Sequence, residues 1–336
     1  MTISEAITKT SAKLQPDRIS CAEEKHLGRL EAEILLSHAL KRDRVWLLAH
    51  PTEKIPAADF RNFSRLFSRR LKHEPIAYIL GKKEFFGYDF IVTPDVLIPR
   101  PETELMIETI TSDFFSFLPA KESSAEEILD RGPVRDRLKR APQARIRPAG
   151  SSPPLIVDIG TGSGAVAITL AKQFPQATVI ATDASSDALR IARQNAKRLK
   201  ADNVSFLKAD LLNTKVLTRL RSVSKKSDSL IIAANLPYLP ESDKKILDPD
   251  VVKFEPSQAL FTGRDGLELI IRLLDQIAFN RHGLPFRRIA VYLEFDPPQA
   301  PKLKKLAKNL FPAAQMEIKK DLAKRNRLLS IKVNRQ

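Results

Sequence analysis

The stretch Leu155-Ile-Val-Asp-Ile-Gly-Thr-Gly-Ser-Gly164 decides the fold of this chain. It begins as a short apolar run, typical of a buried strand, and passes directly into a glycine-rich turn. Gly160, Gly162 and Gly164 allow backbone torsions that other residues resist, and they let the chain approach a ligand closely. A helix that begins near Gly164 offers free N–H groups at the same place. Because ligands of open α/β sheets bind at the carboxyl ends of strands, a ligand site is predicted at this turn.

A strand–helix alternation continues from this stretch towards the end of the chain. The predicted strands are 155–158, 177–182, 203–208, 229–234 and 288–295, followed by a final pair near 314–319 and 327–333. The predicted amphipathic helices are 164–174, 185–200, 265–281 and 299–311. Successive βαβ units form a parallel sheet that is covered by helices on both faces. The predicted fold class is therefore α/β, with a seven-stranded, Rossmann-like sheet.

A different pattern precedes the sheet. Through residues 2–80 apolar residues recur at helical spacing, for example at Leu30, Ile34 and Leu40, and strand signals are few. A small helical domain is therefore predicted over 1–80, and it includes a helix from about residue 57 to residue 71.

Residues 81–118 are predicted to connect the helical domain to the sheet. Short aromatic and β-branched runs flank Gly87 in Glu84-Phe-Phe-Gly-Tyr-Asp-Phe-Ile-Val92, a pattern typical of a β-hairpin. The prolines of Val96-Leu-Ile-Pro-Arg-Pro-Glu-Thr-Glu104 exclude regular structure, and a helix to about residue 117 is predicted to begin at 102–104.

The segment 119–154 differs from the rest of the chain. It combines an acidic stretch, a basic run from Arg135 to Arg147 and several prolines, and it has few large apolar residues. This composition predicts a flexible insertion. A basic arm that touches RNA is the alternative.

Composition limits the possible partners and compartments. The 56 Lys and Arg residues exceed the 40 Asp and Glu residues, which gives a net charge of +16. Such a field either attracts anionic partners such as RNA or ribosomal surfaces, or serves general solubility. A lone cysteine, Cys21, excludes a disulfide framework and a multi-cysteine zinc site, and the histidines have no metal-ligand spacing. No apolar run is long enough to span a bilayer, so no membrane contact and a cytoplasmic location are expected.

Aspartates lie at the ends of the first predicted strands. Asp158 precedes the glycine turn, where a carboxylate can hold a cationic amino group through charge-assisted hydrogen bonds. Asp183 ends the second strand, where a carboxylate can accept both hydroxyls of a ribose. Asp210 ends the third strand, and it either faces an adenine amino group or caps the next helix.

The spacing of these carboxylates distinguishes between two cofactors. The turn also fits the looser dinucleotide pattern Gly160-x-Gly162-x-x-Ala165. NAD would use Asp183 but would leave Asp158 without a role. A ligand with an amino-acid end and a nucleoside end uses both, and S-adenosyl-L-methionine is such a ligand.

The fourth predicted strand ends in Asn235-Leu-Pro-Tyr238, which indicates a methyl-acceptor site. An amide nitrogen is a poor nucleophile, so a site that methylates it must hold the NH2 group with two acceptors. The Asn235 side-chain oxygen is one acceptor, and the Leu236 carbonyl, fixed in direction by Pro237, is the second. Tyr238 can stack on the planar group being held. Catalysis would then depend mainly on orientation and electrostatics.

These segments together resemble the release-factor glutamine methyltransferases, the HemK/PrmC family, over nearly the whole chain. Matching segments include Glu74-Pro-Ile-Ala-Tyr-Ile-Leu-Gly81, Phe254-Glu-Pro256 and Ala259-Leu-Phe-Thr-Gly-Arg-Asp-Gly-Leu267. The run Pro99-Arg-Pro-Glu-Thr-Glu104, joined to the helical front and the later tetrapeptide, is highly specific. Generic methyltransferases share only the glycine turn.

The resemblance implies a class I methyltransferase sheet over 155–336, a release-factor-binding helical domain over 1–80 and a hairpin hinge over 81–118. It implies N5-methylation of the glutamine in the Gly-Gly-Gln motif of class 1 peptide-chain release factors. A monomer is expected, and indirect contact with the ribosome or RNA is a further possible interaction. The candidate catalytic residues are Asn235, Leu236, Pro237 and Tyr238. The candidate cofactor residues are Asp158, Gly160, Thr161, Gly162, Ser163, Gly164, Asp183, Asp210, Leu211 and Asn235, and no metal is expected.

Departures from the family pattern leave alternatives open. The family tetrapeptide usually has proline second, where this chain has Leu236, and it often has tryptophan where this chain has Leu211. Asn-Leu-Pro-Tyr is also similar to the motif of ribosomal-RNA adenine dimethyltransferases, so an adenine-N6 methyltransferase of RNA or DNA is the second hypothesis. A non-catalytic RNA-binding protein is the third, although Asp158, Asp183 and Asn235 are intact.

Overall fold

The computed structural model describes residues 1–14, 22–116, 152–224 and 227–334. The chain divides into two compact units. The helical unit consists of Met1–Lys82 with Leu247–Phe254, and the sheet unit consists of Lys83–Ile246 with Glu255–Gln336. The insertion predicted over 119–154 lies outside the described residues, apart from 152–154.

The helical unit is built from short amphipathic helices. They are α1 (Ile3–Ser11), α2 (Ala22–Leu40), α3 (Arg44–Ala49), α4 (Ala57–Arg70) and α5 (Ile76–Leu80). Their apolar residues recur on one face and form a common core, which includes Ile3, Leu35, Leu36, Leu47 and Phe63. A capping box between Thr2 and Glu5 starts α1, and the Asp43 side chain caps α3.

A later segment of the chain also belongs to the helical unit. The helix Pro249–Phe254, α10 in chain order, carries Asp250. Arg70 at the end of α4 pairs with Asp250 at 2.6 Å and with Glu31 of α2 at 2.8 Å. The guanidinium is mostly buried between these carboxylates, so it ties residues 247–254 to the helices of the first eighty residues.

The predicted hairpin is present as β1 (Lys82–Phe85) and β2 (Tyr88–Ile91). Phe86 and Gly87 connect the strands with φ angles of 50° and 84°. Two successive positive φ values match the right-handed twist of a tight hairpin. The helix that follows the proline-rich run is α6 (Glu104–Ser116).

The seven-stranded sheet predicted from the sequence is confirmed. Its strands lie in the order β5-β4-β3-β6-β7-β9-β8. They are β3 (Leu155–Ile159), β4 (Thr178–Asp183), β5 (Val204–Lys208), β6 (Ser229–Ala234), β7 (Arg288–Glu294), β8 (Gln315–Lys320) and β9 (Asn326–Asn334). Strands β3 to β7 run parallel, and β9 pairs antiparallel with both β7 and β8.

Helices cover both faces of this sheet. They are α7 (Ala165–Gln173), α8 (Ser186–Leu199), α9 (Thr214–Val223), α11 (Ser257–Leu260), α12 (Glu268–Asn280) and α13 (Ala300–Leu310). Alternate strand residues point to opposite faces, so Ile156 packs in one core with α6, α7 and α8. Val157 packs in the other core with α9, α12 and α13.

Helix α9 is absent from the sequence prediction. Its apolar residues Val216, Leu217 and Leu220 are buried, and the Asn213 side chain caps its first turn. The signal was therefore present, but it is short and interrupted by basic residues. Helix α12 begins three residues later than predicted, because Asp265 and Gly266 form the turn that precedes it.

The strand order creates a crevice at the centre of the sheet. The chain moves from β3 outward through β4 and β5, and then returns to the other side of β3 as β6. Ligands of open α/β sheets bind where the strand order reverses, at the carboxyl ends of the strands. The glycine turn after β3 and the tetrapeptide after β6 both lie at this point. No helix in the described part of the chain is long and apolar enough to cross a membrane.

Candidate active site

The glycine turn after β3 is fixed to the neighbouring strand. The backbone N–H groups of Gly160 and Thr161 both donate to the Thr182 carbonyl at 2.9 Å. Gly160, Gly162 and Gly164 all have positive φ angles, of 76°, 55° and 84°. At Gly164 a Cβ atom would lie 2.7 Å from the side chain of Ile168, so the packing also requires glycine.

Asp158 is buried beneath this turn. Its Oδ2 accepts hydrogen bonds from the Thr161 hydroxyl at 2.6 Å and from the Ala167 N–H of α7 at 3.1 Å. Burial raises the pKa of Asp158 to about 7, although both hydrogen bonds lower it. The carboxyl group therefore joins the turn to the first residues of α7. Its role in holding an amino group stays a prediction.

Asp183 closes the other side of the turn. Its Oδ2 accepts from the Gly162 N–H at 2.9 Å, and its Oδ1 accepts from the Ser185 N–H at 2.8 Å. Burial raises the pKa of this carboxyl group, and the backbone donors lower it. Each carboxylate oxygen has a second lone pair, so Asp183 retains acceptor capacity for hydroxyl groups.

Ser163 links the turn to the hairpin. The buried Asn195 of α8 donates through Nδ2 to the carbonyl groups of Ser163 and Ile91, at 2.9 Å each. The Ile91 N–H donates back to Asn195 Oδ1 at 2.7 Å. One amide side chain therefore holds the glycine turn and strand β2 together.

Asp210 and Leu211 follow β5. Asp210 is exposed and pairs with Arg272 of α12 at 2.7 Å. The next helix is capped by Asn213, so the alternative reading of Asp210 as its N-cap was wrong. Leu211 is buried with a φ angle of 48°, a left-handed conformation that leucine rarely adopts. Such strain is common at functional sites, but the position of Leu211 beside the cofactor stays a prediction.

The tetrapeptide lies beside the glycine turn. Ile159 of β3 pairs with Ala234 of β6, so Gly160 and Asn235 leave the sheet as neighbours. A Cβ atom on Gly160 would lie 3.0 Å from the Leu236 side chain, and Leu236 is itself buried. Pro237 is half-buried.

Asn235 is oriented by a residue from a distant segment. Its Nδ2 donates to the Thr103 hydroxyl oxygen at 3.0 Å. The NH2 group of the side chain thereby points to Thr103, and Oδ1 is left as the acceptor on the other side. A methyl-acceptor site requires this orientation.

Tyr238 is held at both ends. Its hydroxyl donates to Glu294 Oε1 at 3.2 Å, and its carbonyl accepts from Gln299 Nε2 at 2.8 Å. Burial and the nearby Glu294 carboxyl group raise the pKa of Tyr238, so the hydroxyl stays a neutral donor. Gly266 packs against the Tyr238 carbonyl so closely that a Cβ atom there would clash with it.

The other specific motifs support the tetrapeptide. Leu239 forms a parallel bridge with Phe261, so residues 259–267 lie beside the tetrapeptide. Glu255 is buried, pairs with Arg100 and accepts from the Ile98 N–H at 3.1 Å. The proline-rich run that carries Thr103 is therefore anchored by Glu255.

Thr103, Glu255 and Glu294 were not among the residues predicted to form the site. Thr103 and Glu255 lie in motifs that carried the resemblance, but no local pattern gives them a role. Glu294 is the last residue of β7 and follows an apolar strand, which is the position where the other strands end in site residues. The position at the end of an apolar strand is therefore the sequence feature that could have identified Glu294.

Two family models match the chain. The model for the PrmC N-terminal domain matches residues 6–81, and a methyltransferase domain model matches residues 155–271. The release factor glutamine methyltransferase of Bordetella pertussis is 37% identical over 247 residues, which cover 74% of this chain and 75% of that protein. That of Nitratidesulfovibrio vulgaris is 34% identical over 317 residues, 93% of this chain and 91% of that protein.

The chain belongs to the release factor glutamine methyltransferase family. The predicted family, the enzyme class and the cofactor, S-adenosyl-L-methionine, are thereby confirmed. Among solved structures, the hMettl16 catalytic domain in complex with MAT2A 3'UTR hairpin 1 superposes with a TM-score of 0.51. It is 13% identical and covers 79% of this chain and 80% of that chain, so the likeness concerns the fold alone.

The residues at the crevice fit the family's cofactor. The turn offers backbone passing close to a ligand, and Asp183 offers carboxylate oxygens for ribose hydroxyls, whereas the side chain of Leu211 is buried in the core of the sheet unit. In the described residues no group of three or more His, Cys, Asp or Glu side chains is arranged to hold a metal ion.

Proposed function

We propose that this protein methylates the side-chain amide nitrogen of the glutamine in the Gly-Gly-Gln motif of class 1 peptide-chain release factors. The observation that carries the proposal is the orientation of Asn235, whose NH2 group is bound by Thr103 and whose Oδ1 remains available as an acceptor. The relatives that match over most of their length are release factor glutamine methyltransferases.

Asn235 and Leu236 hold the substrate amide in this proposal. Asn235 Oδ1 accepts one N–H of the glutamine NH2 group, and the Leu236 carbonyl accepts the other. Pro237 restricts the backbone that directs this carbonyl, and Tyr238 packs on the plane of the amide. With both N–H groups bound, the nitrogen lone pair has one direction available.

The same acceptors stabilise the charge that develops on the nitrogen. The nitrogen becomes positively charged as the new bond to the methyl carbon forms and the bond from that carbon to sulfur breaks, with its electron pair left on sulfur as a neutral thioether. The nitrogen then releases one proton to water. Oxygen acceptors on its N–H groups become stronger partners as that charge grows. A strong base is not needed, because the cationic nitrogen is acidic.

The residues of the glycine turn are assigned to the cofactor. The bound cofactor supplies an electrophilic methyl group. Gly160, Thr161, Gly162, Ser163 and Gly164 form the surface beneath it. Asp183 accepts its ribose hydroxyls, Asp158 supports the turn and the amino-acid end, and Asp210 with Leu211 borders the adenine.

The proposal extends to partners and location. The helical unit binds the release factor, as the match of residues 6–81 to the PrmC N-terminal domain supports. The enzyme acts as a monomer in the cytoplasm. Its charge of +16 favours anionic surroundings, and indirect contact with the ribosome or RNA is part of the proposal.

Mass spectrometry of the Gly-Gly-Gln peptide tests the function directly. Release factor is incubated with the full chain and labelled cofactor, and a single methyl group on the glutamine is expected. A parallel reaction with ribosomal RNA tests the adenine alternative. Label that appears in RNA adenine but not in the release factor would refute the proposal.

A further inference from the structure

Glu294 is a buried carboxyl group at the edge of the tetrapeptide site. It is 2% exposed, and its Oε1 accepts from the Tyr238 hydroxyl at 3.2 Å. Its Oε2 has no hydrogen-bond partner among the described residues. The Thr103 hydroxyl lowers the pKa of the same carboxyl group, which places it close to Glu294. A buried acidic side chain with an oxygen left unpaired is costly and calls for a functional reason.

The positively charged side chain that faces Glu294 forms salt bridges with other carboxylates. Arg327 of β9 faces Glu294, but it pairs with Asp321 at 3.4 Å and with Asp296 at 4.0 Å. The other charged group that faces Glu294 is the carboxylate of Glu102, which has the same sign. Among the residues that the structure describes, Glu294 therefore has no salt-bridge partner and relies on hydroxyl donors.

The hydroxyl group of Thr103 connects Glu294 to Asn235. A threonine hydroxyl has one proton to donate and lone pairs to accept. Its oxygen accepts from Asn235 Nδ2, so its proton is free to point to the carboxyl group on its other side. A carboxylate only accepts hydrogen bonds, which forces the proton of Thr103 in this direction.

We propose that Glu294 is a positioning residue that acts through Thr103 to make Asn235 present its carbonyl oxygen, not its NH2 group, to the glutamine of the release factor. The inference rests on the proposed function. Glu294, Thr103 and Asn235 form a series of polar side chains. The carboxylate is the only member of this series that cannot donate, so it sets the direction in which the others donate.

A hydrogen-bond donor at position 294 would reverse the direction of the hydrogen bonds from Glu294 through Thr103 to Asn235. A glutamine at position 294 can donate to Thr103, whose hydroxyl can then donate to Asn235 Oδ1. The Asn235 amide would rotate and turn its NH2 group toward the NH2 group of the substrate. Two donors would then face each other, and the acceptor that stabilises the developing positive charge would be lost.

Protonation of Glu294 has the same consequence as the change to glutamine. Burial raises the pKa of Glu294 to about 7, although Thr103, Arg327 and Tyr238 lower it. A protonated carboxyl group can donate to Thr103. The rate constant kcat is therefore expected to fall as pH decreases below about 7. Asp158 titrates in the same range, so the comparison must be made between the wild-type protein and variants.

The test combines three variants of the full chain, Glu294→Gln, Thr103→Val and the double variant, with release factor as substrate. Glu294→Gln is expected to lower kcat on the order of 100-fold, by analogy with the loss of one oriented group at a charge-stabilising site. The KM for release factor and the dissociation constant for S-adenosyl-L-methionine, measured by calorimetry, should each change less than about threefold, because the ground state loses little.

The double variant separates positioning from simple structural support. Thr103→Val already cuts the connection, so adding Glu294→Gln should lower kcat by less than about threefold more. Thr103→Ser keeps the hydroxyl and should retain most of kcat. In the pH profile of kcat, Glu294→Gln should lack the part of the fall at low pH that Glu294 causes. Asp113→Asn changes another buried carboxyl group that a tyrosine contacts, and it should leave kcat unchanged.

Several results would overturn the inference. They are a wild-type kcat in Glu294→Gln, losses that multiply in the double variant, or equal losses in Thr103→Ser and Thr103→Val. The serine and valine variants decide the matter even if Glu294→Gln does not fold. A wild-type protein that binds the cofactor but leaves release factor unmethylated would instead refute the proposed function.

Discussion

Two buried tyrosine–carboxyl pairs lie in the sheet unit, and they differ in how the carboxyl group is neutralised. Tyr292 donates to Asp113 Oδ2 at 3.0 Å, and Lys332 pairs with Asp113 Oδ1 at 2.8 Å. Tyr238 donates to Glu294 Oε1 at 3.2 Å, but Glu294 Oε2 has no hydrogen-bond partner among the described residues. The first pair is balanced by a cation, whereas the second has no direct one.

This difference distinguishes the first pair, which stabilises the fold, from the second pair, which supports the site. A buried carboxylate that is paired with lysine and tyrosine has its charge and its lone pairs satisfied. A buried carboxylate without a counter-charge costs stability, and proteins keep such groups mainly at functional sites. Tyr292 and Glu294 lie two positions apart on β7, so one strand serves both purposes.

The largest effect is expected from the loss of Asn235, which connects the second pair to the substrate. Asn235→Ala removes the acceptor that Thr103 and Glu294 orient, and kcat for release factor methylation should fall by a factor that corresponds to about 2–4 kcal/mol. Cofactor affinity should be largely kept, because Asn235 acts on the methyl acceptor. Titration calorimetry alongside single-turnover kinetics checks both. Equal losses of affinity and rate would contradict this role for Asn235.

The next effect is a pH dependence of stability that arises from Glu294 in the second pair. The pKa of Glu294 is raised from 4.5 to about 7, so its protonated form is favoured in the folded state. The stability it contributes is therefore present below about pH 4.5 and is lost as pH rises towards 7. From pH 5 to pH 8, the wild-type protein should lose about 2.5 kcal/mol more free energy of unfolding than Glu294→Gln.

Chemical denaturation of both proteins at each pH measures this difference. Taking the difference removes the contribution of Asp158, whose pKa is also raised. Asp113→Asn provides the matched comparison. Parallel stability curves for the wild-type protein and Glu294→Gln would mean that Glu294 is not the group that titrates.

A smaller effect is expected from removing the cation of the first pair. Lys332→Met leaves Asp113 with the Tyr292 hydroxyl but without its positive partner. The free energy of unfolding should fall by about 2 kcal/mol, below the range for fully buried pairs because some solvent reaches both groups. Urea denaturation measures the change. The methylation rate should be kept, and a loss of kcat without a loss of stability would link this pair to the site.

The smallest effect compares the hydroxyl groups of the two tyrosines. Tyr292→Phe should lower the free energy of unfolding by about 1 kcal/mol, which is the usual contribution of one hydrogen bond. Activity should be unchanged, since Asp113 keeps Lys332. Tyr238→Phe should cost a similar amount of stability and should also lower kcat. Identical behaviour of the two variants in both assays would remove the distinction between the pairs.

Much of the sheet unit follows from local sequence patterns. The apolar run before Gly160 predicts β3, and the glycines predict a turn that the positive φ angles bear out. The tetrapeptide was expected beside the turn, and the pairing of Ile159 with Ala234 brings the two together. Helix α9 was missed because its apolar face is short, with basic residues between the apolar ones.

The partners of the site residues did not follow from those patterns. Asp158 was expected to face the ligand, and its Oδ2 is bonded within the turn. Asp210 pairs with Arg272, and Asn213 caps the helix. Each of these partners is chosen by packing between elements, which periodicity and composition do not encode.

The sequence by itself determined the class of fold, the family and the positions of the glycine turn and of the tetrapeptide Asn235–Tyr238. These depend on residue types at fixed local spacing, where backbone torsion and strand ends leave few options. Only the tertiary structure decided which way Asn235 points, because its partner Thr103 is 132 residues away. It also placed Glu294 behind both Thr103 and Tyr238, since contacts between distant segments exist only once the sheet has formed and its core has packed.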